Sequence, residues 1–263
     1  MLAAEGHLEV GPARLEYRRW GPDPAAAGEA APTLVLLHEG LGCVALWRNF
    51  PERLAAATGC GVLAYSRAGY GGSSPCALPR PLTYLHDEAR DVLPAVLDAI
   101  GLRRGVLLGH SDGASIAAIH AGSRPDPRIR GLILIAPHFF TEPQGLAAIA
   151  AARRAYETGG LRGRLARYHD DVEAAFRGWN DAWLDPGFES WDLTEFLPGI
   201  TRPLLLLQGA EDPYGSPRQV ETAAASVSGP AEVHLLPDCR HGPHLERPEE
   251  TLAAIRSFLA GLI

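Results

Sequence analysis

Apolar residues gather into short continuous runs at Thr33–Leu37, Gly61–Tyr65, 105–108, 131–135, 203–207 and Ala231–Leu236. Runs of this length without alternation fit strands buried on both faces of a parallel sheet. Residues 14–20 behave differently, alternating polar and apolar side chains, which predicts an edge strand with one wet face. Between the runs the apolar spacing changes to steps of three and four. Over 84–100, Ala89, Val92, Leu93, Val96, Leu97 and Ile100 line one helix face, and Gly101 follows as a C-cap. Phe50–Thr58 and 248–262 read the same way, the second with Pro248 at the helix start, where its missing N–H costs nothing. The Pro- and Ala-rich residues 22–32 read as a loop.

Alternating strand and helix patterns predict an α/β fold, with a mostly parallel sheet covered by helices on both faces. Residues 142–198 break the alternation, because they hold helical patterns at 145–158 and Val172–Trp183 but no strand-like run. A helical insertion between two core strands reads as a cap over the carboxyl edge of the sheet, where open α/β sheets bind ligands. The expected organisation is a core of 1–141 and 199–263 with a helical cap at 142–198. No internal repeat or low-complexity linker divides the chain further.

Composition narrows the function classes. With 263 residues, 46% of them hydrophobic, the chain builds one large core. All 24 basic residues are arginine against 31 acids, a net charge of −7. The absence of lysine excludes a Schiff-base enzyme and a P-loop. An acidic chain without a basic run argues against nucleic acid and anionic membrane as partners, leaving a small-molecule substrate. Residues 1–7 show neither a basic start nor a leader-like apolar run, and no window approaches about 18 apolar residues. Cys43, Cys60, Cys76 and Cys239 lack zinc-ligand spacing and read as free thiols of a cytoplasmic protein.

Chemistry is concentrated at Gly109-His110-Ser111-Asp112-Gly113, which follows a strand run and opens a helical one. That is the setting of a G-x-S-x-G nucleophile elbow. The turn is too sharp for side chains at 109 and 113, and the serine stands over a helix N-terminus. A serine needs a base, and the base needs an orienting acid; for this elbow they follow in the order Ser, acid, His. Leu204–Gly209 runs into Ala210-Glu211-Asp212, and Ala231–Leu236 into a loop ending at His241. Ser111, Asp212 and His241 satisfy the order. Glu211 is a rival to Asp212, which the G-x-x-D spacing from Gly209 favours. His244 lies three residues beyond His241, and no third ligand in register makes the pair a metal site. His38 and His110 read as structural, holding the loop after their strand and packing under the elbow.

These motifs, with His38-Glu39-Gly40-Leu41-Gly42, Ser66-Arg67-Ala68-Gly69-Tyr70-Gly71-Gly72-Ser73 and His241-Gly242-Pro243-His244-Leu245-Glu246-Arg247-Pro248, occur in the order of the α/β-hydrolase family, which the chain resembles along essentially its whole length. Within it the pattern is similar to small capped esterases, enol-lactonases, cofactor-free perhydrolases and carbon–carbon bond hydrolases. The resemblance implies an α/β-hydrolase fold with an eight-stranded sheet. It implies attack by Ser111, proton transfer through His241 oriented by Asp212, and an oxyanion hole made by the backbone N–H groups of Gly40 and Asp112. No cofactor or metal is implied. Epoxide hydrolases and dehalogenases resemble this fold with Asp at the elbow, where this chain has Ser111.

Glu39 stands where the family usually has glycine, and Ser66 where it often has aspartate. Glu39 is expected to turn away and pair with Arg67, with Asp112 capping its own helix; the sharper alternative has one of the two carboxyls meeting a substrate hydroxyl or donating a proton. Val172, Phe176, Trp179 and Trp183 make an aromatic face that either packs the cap down or lines a pocket. His138-Phe139-Phe140, just after a core strand, should border the cavity, and Leu41, Glu39, Trp179 and Trp183 are the other expected pocket residues. The six arginines of 142–198 are outnumbered by ten acids, which favours a neutral, fairly apolar substrate. The leading expectation is a serine hydrolase of a carboxylic ester, lactone or thioester. The alternatives are carbon–carbon cleavage of a diketo acid or peracid formation with the same triad, then a ligand sensor. An apolar cap face serves a homo-oligomer as readily as a pocket.

Overall fold

A computed structural model describes residues 3–26 and 31–262. Met1 and Leu2 of the N-terminal segment, and 27–30 of the loop read at 22–32, lie outside the described residues. Eight strands form one sheet: β1 Ala3–Val10, β2 Ala13–Trp20, β3 Thr33–Leu37, β4 Gly61–Tyr65, β5 Gly105–His110, β6 Ile129–Ile135, β7 Leu204–Gly209 and β8 Ala231–Leu236. Their order is β1-β2-β4-β3-β5-β6-β7-β8. From β4 to β8 all neighbours are parallel, while β1–β2 and β2–β4 are antiparallel.

The apolar runs are split by the pleat into two cores. Val35, Leu37, Leu107, Leu132, Leu134, Leu204 and Leu206 face one side; Leu34, Leu36, Val106, Leu108, Ile133, Ile135, Leu205 and Leu207 face the other. Successive side chains point to opposite faces, so each face needs its own helical cover. Helices α1 Phe50–Thr58, α2 Tyr84–Asp87, α3 Leu93–Ala99, α4 Asp112–Ser123, α5 Pro143–Glu157, α6 Leu161–Leu165, α7 Val172–Trp183, α8 Arg218–Ser226, α9 Pro243–Glu246 and α10 Pro248–Ala260 follow in chain order. Phe50 and Leu54 of α1 join Leu252, Ile255 and Phe258 of α10 on one face. Leu93 and Leu97 of α3, Ile116 and Ile119 of α4 and Val220 of α8 cover the other.

Two local expectations are corrected. Residues 14–20 are not the sheet edge, because β1 pairs outside β2 through a two-residue turn opened by Gly11 at φ 57°. β1 has no continuous apolar run, and its strand character rests on its pairing with β2. The helix expected over 84–100 is interrupted by a π-helical turn at Glu88–Val92 before α3 begins. Pro94 has no N–H to give the preceding turn and its ring crowds the carbonyl four residues back, which widens the helix there. Between β6 and β7 lie α5, α6, α7 and two short 3₁₀ turns. Val172, Phe176, Trp179 and Trp183 of α7 are all buried. Among the described residues no helix is long and apolar enough to cross a membrane.

Candidate active site

The site sits where β3, β5, β7 and β8 deliver their following loops to one edge of the sheet. Ser111 links β5 to α4 with φ 53° and ψ −117°, a left-handed region that a non-glycine residue occupies only under constraint. The constraint is steric. A Cβ on Gly109 would meet the Gly113 carbonyl oxygen at 2.3 Å, and one on Gly113 would meet the Leu37 carbonyl oxygen at 2.0 Å. The strand and helix therefore close on each other only because both positions are glycine.

Asp212 and His241 arrive from the loops after β7 and β8. His241 Nδ1 donates to Asp212 Oδ2 at 2.8 Å. The carboxylate also accepts from Gln208 Nε2 and from the Tyr214 N–H, each at 2.8 Å. Burial pushes the Asp212 carboxyl up, but His241 and these donors outweigh it and hold its pKa below the ordinary value. Glu211 faces solvent, which separates it from its neighbour. His244 is buried against Trp47, Phe50 and His110, and desolvation keeps it neutral, with its pKa well below the ordinary histidine value. Among the described residues no group of His, Cys, Asp or Glu side chains is arranged to hold a metal ion, and all four cysteines are free.

Ser111 and His241 line one cavity of ≈ 90 Å³ with Glu39, Gly40, Leu41, Asp112, His138, Trp179 and Trp183. The loop after β3 is shaped by a buried arginine. Arg67 donates from its guanidinium to the carbonyl oxygens of His38 at 2.6 Å and Glu39 at 3.1 Å, while its N–H donates to His38 Nε2 at 3.1 Å. That leaves His38 Nδ1 as donor to the Glu39 carbonyl, at 2.7 Å. Drawing these carbonyls towards Arg67 leaves the Gly40 amide, like that of Asp112, without a protein acceptor among the described residues. Glycine at 40 also admits Trp179, whose indole lies 2.2 Å from where a Cβ would stand.

Three side chains fall elsewhere than expected. The Glu39 carboxylate does not pair with Arg67, whose guanidinium is occupied by backbone carbonyls; it lies 3.5 Å from His110 Nδ1. Burial disfavours charge on both partners, yet each favours the charged form of the other: the Glu39 carboxyl is held well below the usual range and His110 is raised. His110 Nε2 donates to the His241 carbonyl at 2.8 Å, so this pair bridges the 38–42 loop and the histidine loop. Asp112 does not cap α4: its Oδ2 accepts from the Tyr84 hydroxyl at 2.6 Å, and the Tyr84 hydroxyl oxygen in turn accepts from Trp183 Nε1 at 3.0 Å. Phe139 does not border the cavity. It is fully buried in the core, whereas Phe140, just past the bend at 139, takes the place at the wall. The wall also includes Glu142, Leu146, Ile149 and Tyr214, for which the sequence offered only Tyr214's place two residues after Asp212.

A model of the alpha/beta hydrolase family matches residues 34–255. The chain belongs to this family. It is 28% identical to Epoxide hydrolase A of Mycobacterium tuberculosis over 90% of this chain and 93% of that protein. Identity to 2-hydroxymuconate semialdehyde hydrolase of a Pseudomonas species is 26%, over 89% of this chain and 88% of that one. Among solved structures, the enol-lactonase from Burkholderia xenovorans LB400 superposes with a TM-score of 0.73 at 22% identity, covering 97% of this chain and all of that one (100%). This hydrolase thus shares its fold with enzymes of several chemistries.

Proposed function

We propose that this hydrolase cleaves a small, uncharged carboxylic ester, lactone or thioester through an acyl-enzyme on Ser111. The observation that carries the reading is the Asp212–His241 contact in one cavity with Ser111. Because Nδ1 donates to the carboxylate, Nε2 is the acceptor that takes the serine proton as Oγ attacks the carbonyl carbon. His241 then returns that proton to the leaving alcohol, and activates water to release the acid. The free amides of Gly40 and Asp112 receive the oxyanion; one such donor contributes about 3 kcal/mol to the transition state. α5 and α7 act as a cap that closes the cavity, and the free thiols suit the reducing cytoplasm.

The likeness to an epoxide hydrolase does not transfer its chemistry. A serine oxygen opening an epoxide forms an ether, which has no carbonyl for water to attack, whereas an ester to a carboxylate side chain does. A diketo acid needs a partner for its carboxylate. The cavity offers three carboxylates, Glu39, Asp112 and Glu142, and among the described residues no arginine lines it.

The test is initial-rate hydrolysis of p-nitrophenyl esters from acetate to dodecanoate, with Ser111→Ala alongside. Turnover that peaks at short acyl chains and is abolished in the variant supports the reading. Rates no higher than those of Ser111→Ala overturn it, and direct attention to carbon–carbon cleavage or ligand sensing.

A further inference from the structure

His138 is nine-tenths buried, at 7% exposure, and lies on the wall of the cavity. Its ring stands against Trp183 at 5.7 Å and beside His241 at 5.8 Å between centroids. The backbone around it is held tightly. Ser115 Oγ donates to its carbonyl at 2.7 Å, and the next amide, that of Phe139, donates to Gln219 Oε1 at 2.8 Å. Two residues earlier Ala136 carries φ 46°, a left-handed conformation that costs a non-glycine residue energy and persists where surroundings impose it. The ring itself makes no hydrogen bond among the described residues. A rigidly mounted imidazole without a partner, facing a cavity, is a polar group left for a ligand.

We propose that His138 is a specificity-determining residue of the proposed serine-hydrolase site, hydrogen-bonding a hydroxyl group on the substrate. The site then takes short, uncharged esters that carry a hydroxyl in preference to their plain-chain counterparts.

The chemistry of the wall selects this class. Burial and the neighbouring His241 push the His138 pKa down to about 4, so the ring is neutral at neutral pH and offers one N–H donor and one nitrogen acceptor. A hydroxyl, which both donates and accepts, satisfies either. Among the described residues no arginine lines the cavity to meet an anion. The nearby carboxylates are engaged as well: Glu39 with His110, Asp112 with Tyr84, and Glu142 with Ser216 and Gln219. The inference rests on the serine-hydrolase reading only for the turnover it modulates.

Binding separates the two. In Ser111→Ala protein, dissociation constants for ethyl 3-hydroxybutyrate and ethyl butyrate are measured by quenching of tryptophan fluorescence. The hydroxy ester is expected to bind about tenfold tighter. Adding His138→Phe should bring the ratio to about one, whereas His138→Gln, which keeps a donor and an acceptor, retains part of it. In protein with Ser111 intact, the ratio of kcat/KM for p-nitrophenyl 3-hydroxybutyrate over p-nitrophenyl butyrate should fall in the same order. Equal binding of the two esters to Ser111→Ala protein overturns the proposal, as does a preference that survives His138→Phe. Absence of turnover by the intact protein counts against the hydrolase reading alone, because the binding arm still decides the role of His138.

Discussion

On one side of the cavity, the elbow and the 38–42 loop are positioned by backbone. Gly109 and Gly113 let β5 and α4 meet, Ser111 is held at positive φ, and Arg67 grips two successive carbonyls. On the other side, the wall made by α5 and α7 consists of side chains: Leu146, Ile149, Trp179 and Trp183. The first wall cannot change without moving the main chain, whereas the second changes whenever a side chain changes size. A change of side chain on the α5–α7 wall reshapes the cavity, whereas a change at the elbow displaces the atoms around Ser111.

Substitutions on the two walls should therefore differ in kind. The largest expected effect lies behind the backbone wall. Asp212→Asn leaves the shape intact but favours the wrong tautomer of His241, and should lower kcat by about 10⁴-fold with little change in KM, as steady-state kinetics would show. Next comes Gly113→Ala, whose methyl would stand 2.0 Å from the Leu37 carbonyl oxygen. It should destabilise the fold by about 3 kcal/mol or more, seen in urea unfolding, and lower turnover of every ester alike. Trp179→Leu alters the side-chain wall instead. It should move the acyl-chain optimum to longer esters by about tenfold in relative kcat/KM, while the short-chain rate changes less. A uniform loss across the series would show that Trp179 belongs functionally to the backbone wall.

The smallest effect concerns the link between the walls' supports. The Glu39–His110 pair should contribute most where both members are charged. The raised His110 pKa means its share is complete below about pH 6.5 and is lost as pH climbs through the raised value. The depressed Glu39 carboxyl keeps its share down to acid pH. Glu39→Gln should lower Tm by about 2–4 °C near pH 6, with the difference shrinking towards pH 9. A difference that grows with pH would contradict the pairing.

The same contrast explains what could be read from the sequence. Backbone geometry leaves local signals: glycines two residues either side of Ser111, an acid three residues after Gly209, and continuous apolar runs that divide between two cores. The partners of Glu39 and Asp112 were not legible, because His110, Tyr84 and Trp183 reach them from separate elements across the fold. Phe139 and Phe140 are indistinguishable by composition. The irregular segment after β6, with Ala136 at φ 46° and a bend at 139, decides which of them meets the cavity. β1 leaves no continuous apolar run in the sequence, because pairing with β2 makes it a strand.

In the proposed mechanism Ser111 becomes covalently acylated with His241 as its base. The most direct measurement treats the protein with a p-nitrophenyl alkylphosphonate and maps the modified peptide by mass spectrometry, in wild type and in His241→Ala. The expected result is one phosphonyl group on Ser111 in the wild type, with labelling slowed by about 10³-fold or more in the variant. Modification of another residue, or equal labelling of Ser111 in both proteins, would contradict the account.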